Sequence, residues 1–203
     1  MKLYDGGRAP NPRRVRIFLA EKGVEIPRVE IDMGSLGHRS LEMEAKNPLR
    51  RLPVLELEDG RVLTESVAIC RYVEELHPEP PLFGQGAFGR AKVEEWNRRM
   101  ELNLYAAVAG AFRHLHPAMA EWEVPQVPAW GEANKGKAAD FLAILDEHLA
   151  DSRFAAGEAF SIADITGLVA MDFLRPAKIE LPEGLDHVRR WHGELSARPS
   201  AKA

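Results

Sequence analysis

Two short motifs carry residue types suited to binding a small peptide. In the run Asn47-Pro48-Leu49-Arg50-Arg51-Leu52-Pro53-Val54, a proline stands where a strand begins. A cis-proline there leaves the N–H and C=O of Leu52 outside the ladder, at an edge able to grip an extended peptide. Proline at a strand start is also common for structural reasons alone. A little further on, Thr64-Glu65-Ser66 opens a helix. A serine hydroxyl beside the free N–H groups of a helix N-terminus binds a carboxylate, and Glu65 is placed to hold an ammonium. A strand edge next to a pocket for an α-amino-acid head describes a γ-glutamyl peptide. His38, Arg39, Arg50 and Arg51 add a basic stretch. For Arg39 and Arg50 the plain reading, a solvated basic face, is preferred.

Other chemistry finds less support. His114 and His116 are two residues apart, diverge on a helix and lack a third ligand nearby, so no metal site is expected. The glycines at 6–7 and 84–89 do not follow a strand in phosphate-loop spacing. Cys70, the single cysteine, falls on the apolar side of a predicted helix and is expected to be buried and inert. One cysteine cannot form an internal disulfide, which suits a reducing cytoplasm. With 27 Lys+Arg against 31 Asp+Glu the net charge is −4. That balance lacks the basic excess that nucleic-acid binding requires. The longest uncharged run, Leu102 to Phe112, is far shorter than the roughly 20 apolar residues of a membrane span. No nucleic-acid or membrane partner is expected.

The elements that must position these residues fall in two groups. Before residue 77, short strands alternate with helices: a strand at Lys2–Tyr4, a helix over 13–22 stopped by Gly23, and a strand over 24–31. A hairpin follows, with strands 54–58 and 61–64 around Asp59-Gly60, and then a helix from Ser66. Pro78, Pro80 and Pro81 then stiffen a linker. Beyond it the chain is helical throughout. Val93, Trp96, Met100, Leu104, Val108, Phe112 and Leu115 recur at steps of three and four along one long helix ended by Pro117. Ser161 and Asp164 have capping-box spacing. The predicted class is therefore α/β plus all-α: a thioredoxin-like domain at 1–76, a linker at 77–87 and an all-helical domain at 88–203.

The segments RVRIFLAEKG (14–23), NPLRRLPVLE (47–56), LTESVAICRYV (63–73) and FSIADIT (160–166) together resemble the cytosolic glutathione transferases over essentially the full chain. The resemblance implies that Leu52, before Pro53, pairs with the cysteinyl part of glutathione and that Glu65 and Ser66 hold the γ-glutamyl group. It places His38 and Arg51 at the glycine carboxylate; Arg51 stands where theta-like members have lysine, and keeps the charge. It implies a capping role for Ser161 and Asp164, glutathione as co-substrate without a further cofactor, a small hydrophobic electrophile as acceptor, a cytoplasmic location and a homodimer.

One departure is informative. Many members carry Ser, Cys or Tyr in the loop after the first strand to hold the glutathione thiolate. Here that position is Ala9, and GGRAPNPR contains no hydroxyl or thiol. Tyr4 lies in the strand and is expected in the core. This pattern resembles an atypical fungal and bacterial class, implied to activate the thiol through a water held by the helical domain. Candidate catalytic residues are accordingly His116, His114 and Asn11, with Tyr105 and Phe112 lining the acceptor site on the same helical stripe as His116. The alternatives are a non-catalytic glutathione- or partner-binding module, or a glutathione-dependent reductase or peroxidase.

Overall fold

A computed structural model describes residues 1–203. The chain divides into two compact units, Met1–Leu82 with Pro199–Ala203, and Phe83–Arg198. This departs from the expected boundaries. The segment assigned as linker, 77–87, is split between the units, and residues 199–203 fold with the first unit because they dock on its first helix. Arg13 donates to the carbonyl of Ala201 at 3.0 Å, and the Ser200 hydroxyl donates to Glu21.

The first unit is a thioredoxin-like α/β domain. Strands β1 (Lys2–Asp5), β2 (Arg28–Glu30), β3 (Val54–Glu56) and β4 (Val62–Thr64) form one sheet in the order β2-β1-β3-β4. β1 and β2 run parallel; the other neighbours are antiparallel. Helices α1 (Pro10–Lys22), α2 (Leu41–Lys46) and α3 (Ser66–Leu76) accompany the sheet. Side chains alternate across it. Leu3 and Leu55 are opposite in register and fully buried, while Tyr4, Val54, Leu52 and Met43 of α2 form a second cluster. Gly23 stops α1 in the left-handed region at φ 63°, as expected.

β2 is shorter than the predicted 24–31. Pro27 has no N–H for a ladder and contributes only its carbonyl, which accepts from Leu3 at 2.9 Å. The hairpin is also shorter, with Leu57 N–H bonding Arg61 C=O at 2.8 Å to close a turn that Gly60 completes at φ 82°.

The second unit is all-helical. α4 (Gly86–Arg99) and α5 (Ala106–Leu115) are continuous through a π-helical segment, Met100–Tyr105. The helix ends at Leu115; His116, before Pro117, is extended at φ −81°, ψ 129°. The π segment was not legible in the apolar periodicity, which tolerates one wide turn. α6 (Pro128–Ala150), α7 (Ile162–Leu174) and α8 (Asp186–Ser196) complete the unit. No helix is long and apolar enough to cross a membrane.

Candidate functional site

The sheet register gathers the first-unit candidates. Val54 pairs with both Tyr4 and Thr64, so three segments leave the sheet at one end: the loop after Asp5, the approach through Arg51-Leu52-Pro53, and Glu65-Ser66. The Leu52–Pro53 bond is cis, and the ladder starts only at Val54, leaving the Leu52 backbone outside it. Gly6 lies against Leu52: an added Cβ would come within 3.1 Å of its side chain. Beside this contact an open cleft of about 570 Å³ runs along Gly6–Ala9 and Met33.

Glu65 caps α3 with φ 64° and ψ 117°, a conformation that costs a non-glycine residue of order 1–3 kcal/mol. Glu65 stays exposed, while the next residue, Ser66, is buried at the helix start. The Ser66 oxygen accepts from Arg14 Nη1 at 2.8 Å. Arg14 was missed in the sequence because a basic residue inside RVRI looks like the solvent side of a helix; it is in fact 1% exposed.

Asn47 shapes the loop that carries Arg51. Its Nδ2 donates to the Arg51 carbonyl at 2.8 Å and its Oδ1 accepts from Leu49 N–H at 3.1 Å. Arg51 is exposed, and Arg50 pairs with Glu44 at 2.6 Å. His38 sits in a single turn of 3₁₀ helix (Gly37–Arg39) and is buried. Burial, then the charge of Arg39, pushes its imidazole below the usual range. With its pKa lowered, the His38 ring favours the uncharged form at neutral pH.

Asp5, fully buried, shapes the loop that lacks a hydroxyl. It takes Arg16 Nη1 at 2.7 and 2.8 Å and accepts the Gly7 N–H at 3.0 Å. In the first turn of α1, Pro10 and Pro12 have no N–H, Arg13 N–H bonds Ala9 C=O, and Ala9 N–H bonds Gly6 C=O. The Asn11 N–H remains as the backbone donor of that turn, next to a half-buried Asn11 side chain. Tyr4 cannot replace the missing hydroxyl, since its O–H donates to Glu56 at 2.6 Å. Cys70 is fully buried, which pushes its thiol pKa up.

In the second unit, Phe112 stacks on His116 with ring centroids 4.6 Å apart and packs on Phe173 at 4.9 Å; Tyr105 lies 6.5 Å from Phe173. Phe173 comes from α7 and has no signature in sequence. His116 Nδ1 accepts from Ala118 N–H at 3.2 Å, and His114 Nδ1 accepts from Val127 N–H at 3.1 Å. In a neutral imidazole this puts the proton on Nε2 and leaves no lone pair free for a second one. Each ring in that tautomer presents Nε2–H as a donor. His114 Nε2 faces Glu123 at 3.8 Å.

A thioredoxin-like unit with an unpaired backbone at Leu52 beside the Glu65-Ser66 helix start, followed by a helical unit, has the architecture of a glutathione transferase. Residues 3–81 match the glutathione S-transferase N-terminal domain and residues 125–199 the C-terminal domain. The whole chain is 35% identical to glutathione S-transferase 2 of Saccharomyces cerevisiae, covering 88% of that protein. The solved structure of Gtt2 from Saccharomyces cerevisiae superposes with a TM-score of 0.94 at 35% identity, over 100% of this chain and 99% of that one. A glutathione S-transferase domain-containing protein of Marinobacter aquaeolei gives the same TM-score at 39% identity, over 98% and 99%. The chain belongs to the glutathione S-transferase family. It is a glutathione transferase, and its likeness to the yeast proteins supports the resemblance to the atypical class.

Proposed function

We propose that the protein conjugates the thiol of glutathione to a small hydrophobic electrophile. The observation that carries this reading is the meeting of the Leu52 edge and the Glu65-Ser66 helix start at one end of the sheet. Ser66 and the first N–H groups of α3 receive the γ-glutamyl carboxylate, and Glu65 receives its ammonium. The Leu52 backbone pairs with the cysteinyl residue, while Arg51 and neutral His38 hold the glycine carboxylate. Tyr105 and Phe112, with Phe173, offer an aromatic surface to the acceptor. Lowering a thiol pKa from about 8.5 by about two units needs about 2.7 kcal/mol of stabilisation. Asn11 supplies it at the sulfur, together with a water held by the Nε2–H of His116 or His114.

The buried Cys70 and the absence of a cysteine at Ala9 argue against a thiol-exchange reductase. The test is calorimetry of glutathione binding together with a conjugation assay against chlorinated aromatics, isothiocyanates and epoxides. Binding and turnover are expected for the wild type. A Glu65→Ala/Ser66→Ala variant of unchanged affinity would refute the placement, and tight binding without turnover on any acceptor would favour a non-catalytic module. A cytoplasmic homodimer is part of the same reading; a monomeric mass in light scattering at micromolar concentration contradicts the dimer.

A further inference from the structure

Behind Ser66 stands a residue with no role in the reading above. Arg14, in the second turn of α1, is 1% exposed, and its Nη1 donates to the Ser66 hydroxyl oxygen across the α1–α3 seam. A guanidinium is expensive to bury, and a serine at a helix start does not need one. A hydroxyl has one proton and two lone pairs. Once a lone pair is taken by a cationic donor, the proton must point elsewhere, and the charge-assisted bond polarises the O–H as a stronger donor. The guanidinium also adds positive charge beneath the α3 N-terminus, whose own dipole favours an anion there. Further along the same seam Lys22 pairs with Glu74, so α1 and α3 have a separate ion pair to join them.

We propose that Arg14 is a positioning residue for the γ-glutamyl carboxylate: it turns the Ser66 hydroxyl outward as a donor and lends it charge from behind. The inference rests on the placement of the γ-glutamyl group at Glu65-Ser66. A merely structural Arg14 would affect every ligand alike, whereas this role is felt only by ligands that carry the α-carboxylate.

The experiment uses two ligands, glutathione and 4-aminobutyryl-cysteinyl-glycine, which differs only in having hydrogen in place of the α-carboxylate. Calorimetry is run on the full chain for the wild type, Arg14→Met, Ser66→Ala and the double variant. Arg14→Met is expected to weaken glutathione about tenfold while the analogue stays within about twofold of wild type. The double variant should bind glutathione no more than about twofold more weakly than the weaker single variant, since both act on one group. Equal weakening of both ligands, or no weakening of either, overturns the proposal. If Arg14→Met does not fold, Arg14→Lys, which keeps the charge but not the planar fork, should lower the ratio of the two affinities at least about threefold; an unchanged ratio overturns the proposal. Failure of the wild type to bind glutathione would instead sink the underlying placement, a different and recognisable result.

Discussion

His114 and His116 show what residue types alone conveyed and what they left out. Their position at the end of the long helix was legible from spacing, but their protonation pattern was not, because the acceptors of Ala118 N–H and Val127 N–H are set by how residues 117–127 fold back. With both Nδ1 atoms engaged, each ring is left with Nε2 to hold a water. His116 Nε2 has no protein partner, whereas His114 Nε2 faces Glu123. Replacement of His116 by alanine is therefore expected to raise the apparent pKa of the bound thiol, read from thiolate absorbance, more than replacement of His114. No change in either single variant or in the double would exclude a histidine-held water and leave Asn11 as the activating group. The cis-proline strand entry at Leu52-Pro53 and the helix start at Glu65-Ser66 were legible for a simpler reason: each is contiguous in sequence. Arg14 and Phe173 were not, since their partners lie 52 or more residues away and no local pattern links them.

At the level of elements, the sequence disclosed what local chemistry decides. Gly23 as a helix stop, Pro117 as a helix end and Ser161/Asp164 as a cap all appear as expected. β2 is shorter than the run over 24–31 because Pro27 offers no N–H to the ladder, and the π segment leaves no trace in the periodicity. The start of α7 shows how much one cap can carry. Ser161 Oγ accepts from Ala163 N–H, while the buried Asp164 carboxylate accepts from Ser161 N–H and O–H, Ala155 N–H and Trp191 Nε1–H. Ser161→Ala should cost about 1 kcal/mol in chemical denaturation, as an ordinary lost cap. Asp164→Ala should cost about 3–5 kcal/mol, because it strands several buried donors at once. Similar losses for the two variants would refute this ranking. A pH effect belongs to the same unit. His148 stacks on Trp96 with centroids 3.9 Å apart and bonds the Ala155 carbonyl through Nε2. Burial pushes its pKa below the usual value, outweighing the bond to Ala155. The folded state thus favours the neutral ring, so its contribution is complete above the unfolded pKa near 6.5 and is lost as pH falls below it. Between about pH 7.5 and about pH 5.5 the wild type should lose more stability than His148→Gln. Equal losses would show that His148 does not set the acid limb.

For the whole molecule, the least legible feature is that the first unit is completed by residues from the other end of the chain. Nothing in Pro-Ser-Ala-Lys-Ala suggests docking: it is short, has little apolar surface and shows no periodicity. Its anchors are two bonds to α1, from Arg13 to the Ala201 carbonyl and from Ser200 to Glu21, and Ser200 is buried. These anchors matter because α1 carries Asn11 in its first turn and Arg14 in its second, so the 199–203 segment braces the helix that bears two residues of the proposed site. A chain lacking residues 199–203 should lose about 3–6 kcal/mol of local protection in α1, the scale of two charge-assisted hydrogen bonds. Hydrogen exchange followed by mass spectrometry reads this directly. Faster exchange is expected over Pro10–Lys22, with α6, α7 and α8 unchanged, together with weaker glutathione binding. Unaltered exchange in α1 would mean that the segment merely rests on the helix, and a uniform rise across both units would mean that it stabilises the fold as a whole rather than the helix behind the site.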